Sequence, residues 1–540
     1  MIQFATRSKL ILSNLTSFDC IPFLSIVSSS LRYQRTSLLS SNMSDCCHYS
    51  SKSCLSSDYF LDKVFINGKW VDSSSGKKFK VTNPATEEII GYAPECSEKD
   101  TISAIDAASS AFHEWKNTSA KVRSTLLRKL FELQMKNGNQ LAELISLEMG
   151  KPLRESKGEI NYGASFFEWF AEEAKRISGE MFQSPFPNSL TLFIREPIGP
   201  VGIITPWNFP NAMITRKLAA VLACGCTAVI RPAEDSPFSG LALGKLVEEA
   251  GFPPGVVNII TSSRDEASTI GSVLTQSPKI AAISFTGSTN VGKHLLASSA
   301  STVKRVCLEL GGNAPFIVFD SADIPAAVQG CIASKFRNTG QTCVSANRIY
   351  VQSKVYQPFI DALSKEMSKS LVVGDPLDMA TTVGPLVNSK GLDKVKAHVD
   401  DALAKGGKLI VGGKHIKGNF FEPTLIADIS ESMKICSEET FGPLAAIVPF
   451  ETEQEVISKA NSCRVGLAGY FYSSSLDQIV RVSRALQVGM VGVNAGIISC
   501  AEAPFGGVKE SGLGREGSHL GIEEFTNVKY ICMGSLNLTN

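Results

Sequence analysis

Residues 201–204, 228–230, 257–260 and 281–285 form short, predominantly apolar runs, and helical stretches such as 213–223 and 240–250 separate them. This alternation leaves few folds open. A strand covered on both faces reads as a continuous apolar run rather than an alternating one. Strands separated by helices pair in parallel, because the crossover returns the chain to the same end of the sheet. Such sheets gather ligands, nucleotides above all, in the crevice at the carboxyl ends of their strands. The pattern between Gly199 and Gly312 therefore predicts a mostly parallel sheet, and a second α/β run follows from Ala314 to about Val508.

The flanking regions read differently. Residues 64–91 suggest short strands with turns at Asn67-Gly68 and Ser75-Gly76, and residues 98–177 are helical in pattern, with 124–148 clearly amphipathic. Two further strands, 189–193 and 529–533, belong to neither sheet. The chain has 540 residues, enough for two or more packed domains. Its net charge of +1 implies neither a nucleic-acid partner nor a membrane surface. No apolar run reaches the ~18 residues that a membrane span needs. Fourteen irregularly spaced cysteines, without a C-x-x-C pair, and six histidines suggest neither a metal site nor a disulfide framework. The first 57 residues are serine-rich and carry Arg7, Lys9, Arg32 and Arg35, with Asp19 the sole acid before Asp45. That composition fits a removable organellar targeting segment, mitochondrial or plastid; a disordered tail without an address is the alternative.

One cysteine stands apart from the rest. Phe336-Arg337-Asn338-Thr339-Gly340-Gln341-Thr342-Cys343 places it at the end of a polar, glycine-bearing turn, six residues after an arginine. Thiol chemistry beside a fixed positive charge suits a substrate with both an electrophilic carbon and an anionic group. This stretch resembles the cysteine signature of the aldehyde dehydrogenases. Other motifs agree in order and spacing: Thr205-Pro206-Trp207-Asn208-Phe209-Pro210, Phe285-Thr286-Gly287-Ser288, Leu308-Glu309-Leu310-Gly311-Gly312, Glu439-Thr440-Phe441-Gly442-Pro443 and Pro504-Phe505-Gly506-Gly507. The likeness runs from Tyr59 to the C-terminus and is greatest to the mitochondrial, plant-like succinate-semialdehyde dehydrogenases.

The resemblance implies an α/β fold of three parts. A Rossmann-like NAD-binding domain would take residues 58–178 and 199–309, and an α/β catalytic domain residues 310–508. A small β domain, from segments 179–198 and 524–538, would pair subunits into a homodimer or homotetramer. Residues 1–57 would be the transit peptide of a mitochondrial matrix protein. In the cofactor site it implies Thr205, Pro206, Trp207, Ala233, Phe285, Gly287, Ser288, Gly292, Leu310 and Gly311, with Glu439 and Phe441 at the nicotinamide ribose and ring. Arg231 departs from the family's usual lysine. A guanidinium suits a 2′-phosphate, whereas the carboxylate of Glu234 repels one, so NAD is expected with NADP weaker.

Catalysis is expected from Cys343 as nucleophile, from Asn208 and the Cys343 N–H as oxyanion donors, and from Glu309 as the base that activates water, with Lys217 in support. Arg216, Arg337 and Ser499 match a carboxylate clamp, which implies oxidation of succinic semialdehyde in 4-aminobutyrate breakdown. No metal is implied. Structural ion pairs are the alternative for the arginines. Ala495, Ala501 and Glu502 depart from the pattern at the substrate entrance and leave other semialdehydes, such as glutarate semialdehyde, open. Ser345 stands where some relatives carry a second cysteine. A CoA-acylating enzyme is disfavoured by Glu309, and a catalytically silent NAD-binding protein by Cys343, Glu309 and Asn208 together.

Overall fold

The computed structural model describes residues 58–536. The expected targeting segment lies outside these residues, as do residues 537–538 of the expected subunit-pairing segment. The first sheet has eight strands, in the order Lys69–Val71, Val64–Ile66, Val257–Ile259, Thr227–Arg231, Pro200–Ile204, Ala282–Thr286, Arg305–Glu309 and Gly512–Leu513. Its five central strands are parallel; the strands outside them are antiparallel. Taken in chain order the central strands lie 3-2-1-4-5. The winding therefore reverses between Pro200–Ile204 and Ala282–Thr286, and a crevice opens at the carboxyl ends of those two strands.

The second sheet has seven strands, with Ala346–Gln352 at its centre between Ala314–Val318 and Leu444–Phe450, and only its Lys408–Val411 edge is antiparallel. The two sheets are joined by the short link from Glu309 to Ala314. The last residue of one sheet's strand thus stands at the junction with the other.

The two isolated strands of the sequence reading pair with each other. Thr526–Met533 runs antiparallel to Leu190–Pro197, which also takes Glu180–Phe182, in a separate three-stranded sheet. The single amphipathic stretch expected over 124–148 is instead two helices, Ala120–Lys136 and Gly138–Met149. The break falls at Asn137, whose φ of −101° and ψ of 14° leave the helical region while its side-chain amide also donates to the Leu133 carbonyl.

Helix Ala212–Cys224 matters most for function. Leucine and alanine favour it, and Gly225 ends it in the left-handed region at φ 87°. All 13 of its residues are buried, including Arg216 and Lys217. It packs against helix Leu153–Glu173, which buries Phe166, Phe167 and Phe170. Two cations inside such a helix must find partners within the protein. Among the described residues no helix is long and apolar enough to cross a membrane.

Candidate active site

Two cavities meet at the switch point. One, of about 500 Å³, is lined by Thr205, Pro206, Trp207, Arg231, Ala233, Glu234, Phe285 and Gly287. The other, of about 450 Å³, is lined by Asn208, Ser288, Glu309, Leu310, Gly311, Cys343, Glu439 and Phe441. They share Pro206, Trp207, Glu234 and Gly287, so they form one cleft.

Its outer half fits a dinucleotide. Among the described residues the buried hydroxyls of Thr205 and Thr286 have no hydrogen-bond partner, and both line the cleft. A Cβ on Gly287 would collide with the Phe285 ring, so the backbone there stays open to a ligand. Ser288 caps helix Thr289–Ser299, whose N-terminus meets the cleft as a ready anion site. Arg231 is not a free cation. Its guanidinium pairs with Glu234 at 2.9 Å and donates to the Ser262 hydroxyl at 3.1 Å. Gly292 lies one turn into helix Thr289–Ser299, where a Cβ would strike the Leu310 side chain, so the glycine allows close packing of the helix. Glu439 accepts the Gly312 N–H at 3.3 Å, and burial pushes its carboxyl up to about 7. Phe441, in the left-handed region at φ 58°, meets Trp207 edge-on at 5.6 Å.

The nucleophile turn is strained and firmly held. Asn338, Thr339 and Gly340 have φ of 52°, 57° and 75° in succession. Such a run persists only where the surroundings over-determine it. The Asn338 N–H donates to Glu155 at 2.6 Å, its amide donates to the Asn208 carbonyl at 2.9 Å, and the Thr339 hydroxyl donates to the Gly384 carbonyl at 3.1 Å. Gly340 is obligatory, since a Cβ would collide with the Gly442 carbonyl. The Asn208 amide donates to the Gln341 carbonyl at 3.0 Å, which holds it two residues from Cys343. Cys343 itself is partly exposed on the cleft floor. Burial, and then the facing Glu309 carboxylate, push its thiol well up.

Behind the cysteine lies a fully buried ion cluster. Arg216 pairs with Glu309 at 3.0 Å and also with Glu516, which in turn pairs with Lys217. Burial works against the Arg216 charge, but Glu516 and Glu309 outweigh it and hold its proton above the ordinary arginine range. Burial raises the Glu309 carboxyl and Arg216 opposes that rise. Arg216, expected in the carboxylate clamp, already holds two carboxylates, because a cation on a buried helix must be neutralised. Arg337 differs. Its guanidinium stacks over the Phe209 ring at 5.2 Å, and among the described residues it makes no hydrogen bond or ion pair. Ser499 is half-buried in the loop after Met490–Val493, and its hydroxyl makes no hydrogen bond among the described residues.

Residues 70–531 match the model of the aldehyde dehydrogenase family. A mitochondrial succinate-semialdehyde dehydrogenase of Rattus norvegicus is 50% identical over 89% of this chain and 92% of its own length. A glutarate-semialdehyde dehydrogenase of Pseudomonas putida is 50% identical over 88% of this chain and 98% of its own. The crystal structure of an Escherichia coli NADP-dependent enzyme superposes with a TM-score of 0.87 at 50% identity, covering 88% of this chain and 98% of that one. The chain belongs to the aldehyde dehydrogenase family. It is an NAD(P)-dependent oxidoreductase of aldehydes.

In this aldehyde dehydrogenase, four charged residues absent from the sequence reading support the site. Glu516 completes the Arg216 cluster. Glu155 holds the nucleophile turn. Glu159 accepts the N–H groups of Asn211 and Ala212 at 2.9 and 3.2 Å, capping the start of helix Ala212–Cys224. Lys151 pairs with Glu159, donates to the Asn208 carbonyl at 2.8 Å and lies over Phe209 at 3.6 Å. A signal was present for two of them: Glu155 and Glu159 are four apart, hence on one face of a helix that is otherwise rich in buried aromatics.

Proposed function

We propose that the chain oxidises succinic semialdehyde to succinate with NAD as preferred acceptor, as a homodimer or homotetramer of the mitochondrial matrix. Arg337 carries the reading: an unpaired guanidinium six residues before the nucleophile is costly unless an anion meets it. The name of the rat relative supports both the substrate and the compartment.

In this reading the Cys343 sulfur bonds to the aldehyde carbon while the thiol proton is lost to solvent through the cleft. The carbonyl π pair becomes an oxyanion, met by the Asn208 amide and the Cys343 N–H. A bound nicotinamide, held by the cleft residues around Gly287 and Glu439, supplies the hydride acceptor. The resulting thioester is opened by water: its oxygen bonds to the acyl carbon, its proton goes to Glu309, and the C–S electron pair returns to sulfur. NAD is favoured because Glu234 stays in the cleft and occupies Arg231.

The test is NADH formation by a chain starting near Ser57, with succinic semialdehyde, glutarate semialdehyde and butanal, each with NAD and NADP. Strong preference for succinic semialdehyde with NAD is expected. Equal rates with butanal would make this a general aldehyde dehydrogenase. A preference for the five-carbon acid would favour the second reading, which rests on the 50% identity to the P. putida enzyme.

A further inference from the structure

Arg216 and Glu309 cannot both serve the substrate as they now stand. The arginine meant to receive a carboxylate is already bound, by 3.0 Å, to the carboxylate that must act as a base. A carboxylate held on a guanidinium is a weaker base, and the oxygen facing the arginine is not free to take a proton. The other oxygen of Glu309 is buried, and the carboxyl lies close enough to Cys343 to act on its thiol.

Charge counting sharpens the conflict. Arg216 and Lys217 balance Glu309 and Glu516, so the buried cluster is neutral without a ligand. Nearby, Lys151 pairs with Glu159, and Arg337, without an ion pair among the described residues, is opposed at longer range by Glu155. Tyr162 lies within electrostatic reach of both guanidinia, and nearest to Arg216. Arg216 also acts on the Cys343 thiol. A substrate carboxylate that reaches Arg216 must compete for its N–H groups with Glu309 and Glu516. Glu516 is held from two sides, by Arg216 and Lys217. Glu309 has Arg216 alone as its ion-pair partner among the described residues. It is the one displaced.

We infer that Arg216 is a substrate-operated latch on the catalytic base: the carboxylate of a short aldehyde-acid takes the place of Glu309 on Arg216 and frees Glu309 to activate water. The inference rests on the proposed substrate class. It adds to selectivity at a second step. A neutral aldehyde that reaches Cys343 still forms a thioester, but Glu309 stays latched and hydrolysis is slow. Once released, Glu309 faces Cys343, Glu439, Lys217 and Glu516 as well as Arg216, and burial raises its proton affinity. The acid limb of hydrolysis therefore moves to higher pH when the latch is open.

The experiment follows breakdown of the acyl-enzyme by acid quench and mass spectrometry of the Cys343 peptide. On the alkaline plateau of both acyl-enzymes, the succinyl-enzyme of the native protein should hydrolyse about tenfold faster than the butyryl-enzyme. Propanoate added to the butyryl-enzyme should speed its breakdown saturably, by supplying the missing carboxylate in trans. Arg216→Met should hydrolyse the butyryl-enzyme about tenfold faster than the native protein on that plateau, without response to propanoate, and with coincident acid limbs for both acyl groups. Equal breakdown of the two acyl-enzymes in the native protein, with no effect of propanoate, overturns the latch even where succinic semialdehyde keeps its advantage in kcat/KM. Loss of that advantage itself overturns the substrate reading instead. The propanoate arm needs no variant, so a misfolded Arg216→Met protein leaves the test intact.

Discussion

Arg216 and Arg337 flank the same nucleophile from supports of opposite character. Arg216 projects from a helix buried along its whole length, and two carboxylates neutralise it. Arg337 opens a turn in left-handed conformation and has only the face of Phe209 beneath it. A charge in a packed helix is an obligation of folding, because desolvation must be repaid inside the protein. A charge beside a strained turn can stay unpaired, since the turn is held by other groups: Glu155, Asn208 and Gly384. The site thus sets a cation already paired within the protein beside one that has no ion pair among the described residues.

The sharpest way to break this contrast is to remove each cation in turn. Arg216→Ala leaves Glu309 buried without its ion-pair partner and Glu516 with Lys217 alone. A loss of about 3–5 kcal/mol is expected, read as a large drop in unfolding midpoint. An unchanged midpoint would mean that the cluster relaxes and that Arg216 is not structural. Glu309→Gln keeps the fold and the acyl-enzyme burst, but steady-state turnover should fall about a thousandfold, as loss of a general base does. Normal turnover would remove Glu309 from hydrolysis. Arg337→Ala should leave the unfolding midpoint within about 0.5 kcal/mol, as surface-like changes do. It should raise KM for succinic semialdehyde about a hundredfold while barely changing that for butanal. Equal effects on both aldehydes would show that Arg337 shapes the turn rather than the substrate pocket.

The parts legible in the sequence were those written in local pattern. Short apolar runs separated by helices describe the parallel centre of the first sheet, and the loops after its strands carry Thr205, Gly287 and Glu309 into one cleft with Cys343. What escaped depends on contacts between distant segments. Glu516 lies in the turn Gly514-Arg515-Glu516-Gly517, where an exposed acid would be ordinary, and only the fold brings it under helix Ala212–Cys224. Gly292 shows the same dependence: a glycine near a strand–helix junction suggests a phosphate, and only the fold shows that the neighbour a Cβ would meet is Leu310. Arg216 reads as a clamp residue because a lone arginine in an apolar helix calls for an anion. The sequence could not say that two of its own glutamates would arrive first.

Arg231 stands between the two extremes and tests the contrast most finely. It is buried like Arg216, yet its single carboxylate partner, Glu234, lies at the cleft wall, about a quarter exposed at 24%. The remaining N–H groups reach the Ser262 hydroxyl and, more loosely, the carbonyls of Ser262 and Ser263. Part of its charge is therefore structural and part is masked only by Glu234. Glu234→Gln removes the repulsion toward a 2′-phosphate and unmasks one edge of the guanidinium, while Ser262 keeps the arginine in place. The ratio of kcat/KM with NADP to that with NAD should rise about tenfold, the scale of one charge-assisted hydrogen bond, with little change in unfolding midpoint. A rise confined to NAD would mean that Glu234 only crowds the ribose. No change in the ratio would place Arg231 wholly with Arg216, as a cation the fold has already spent.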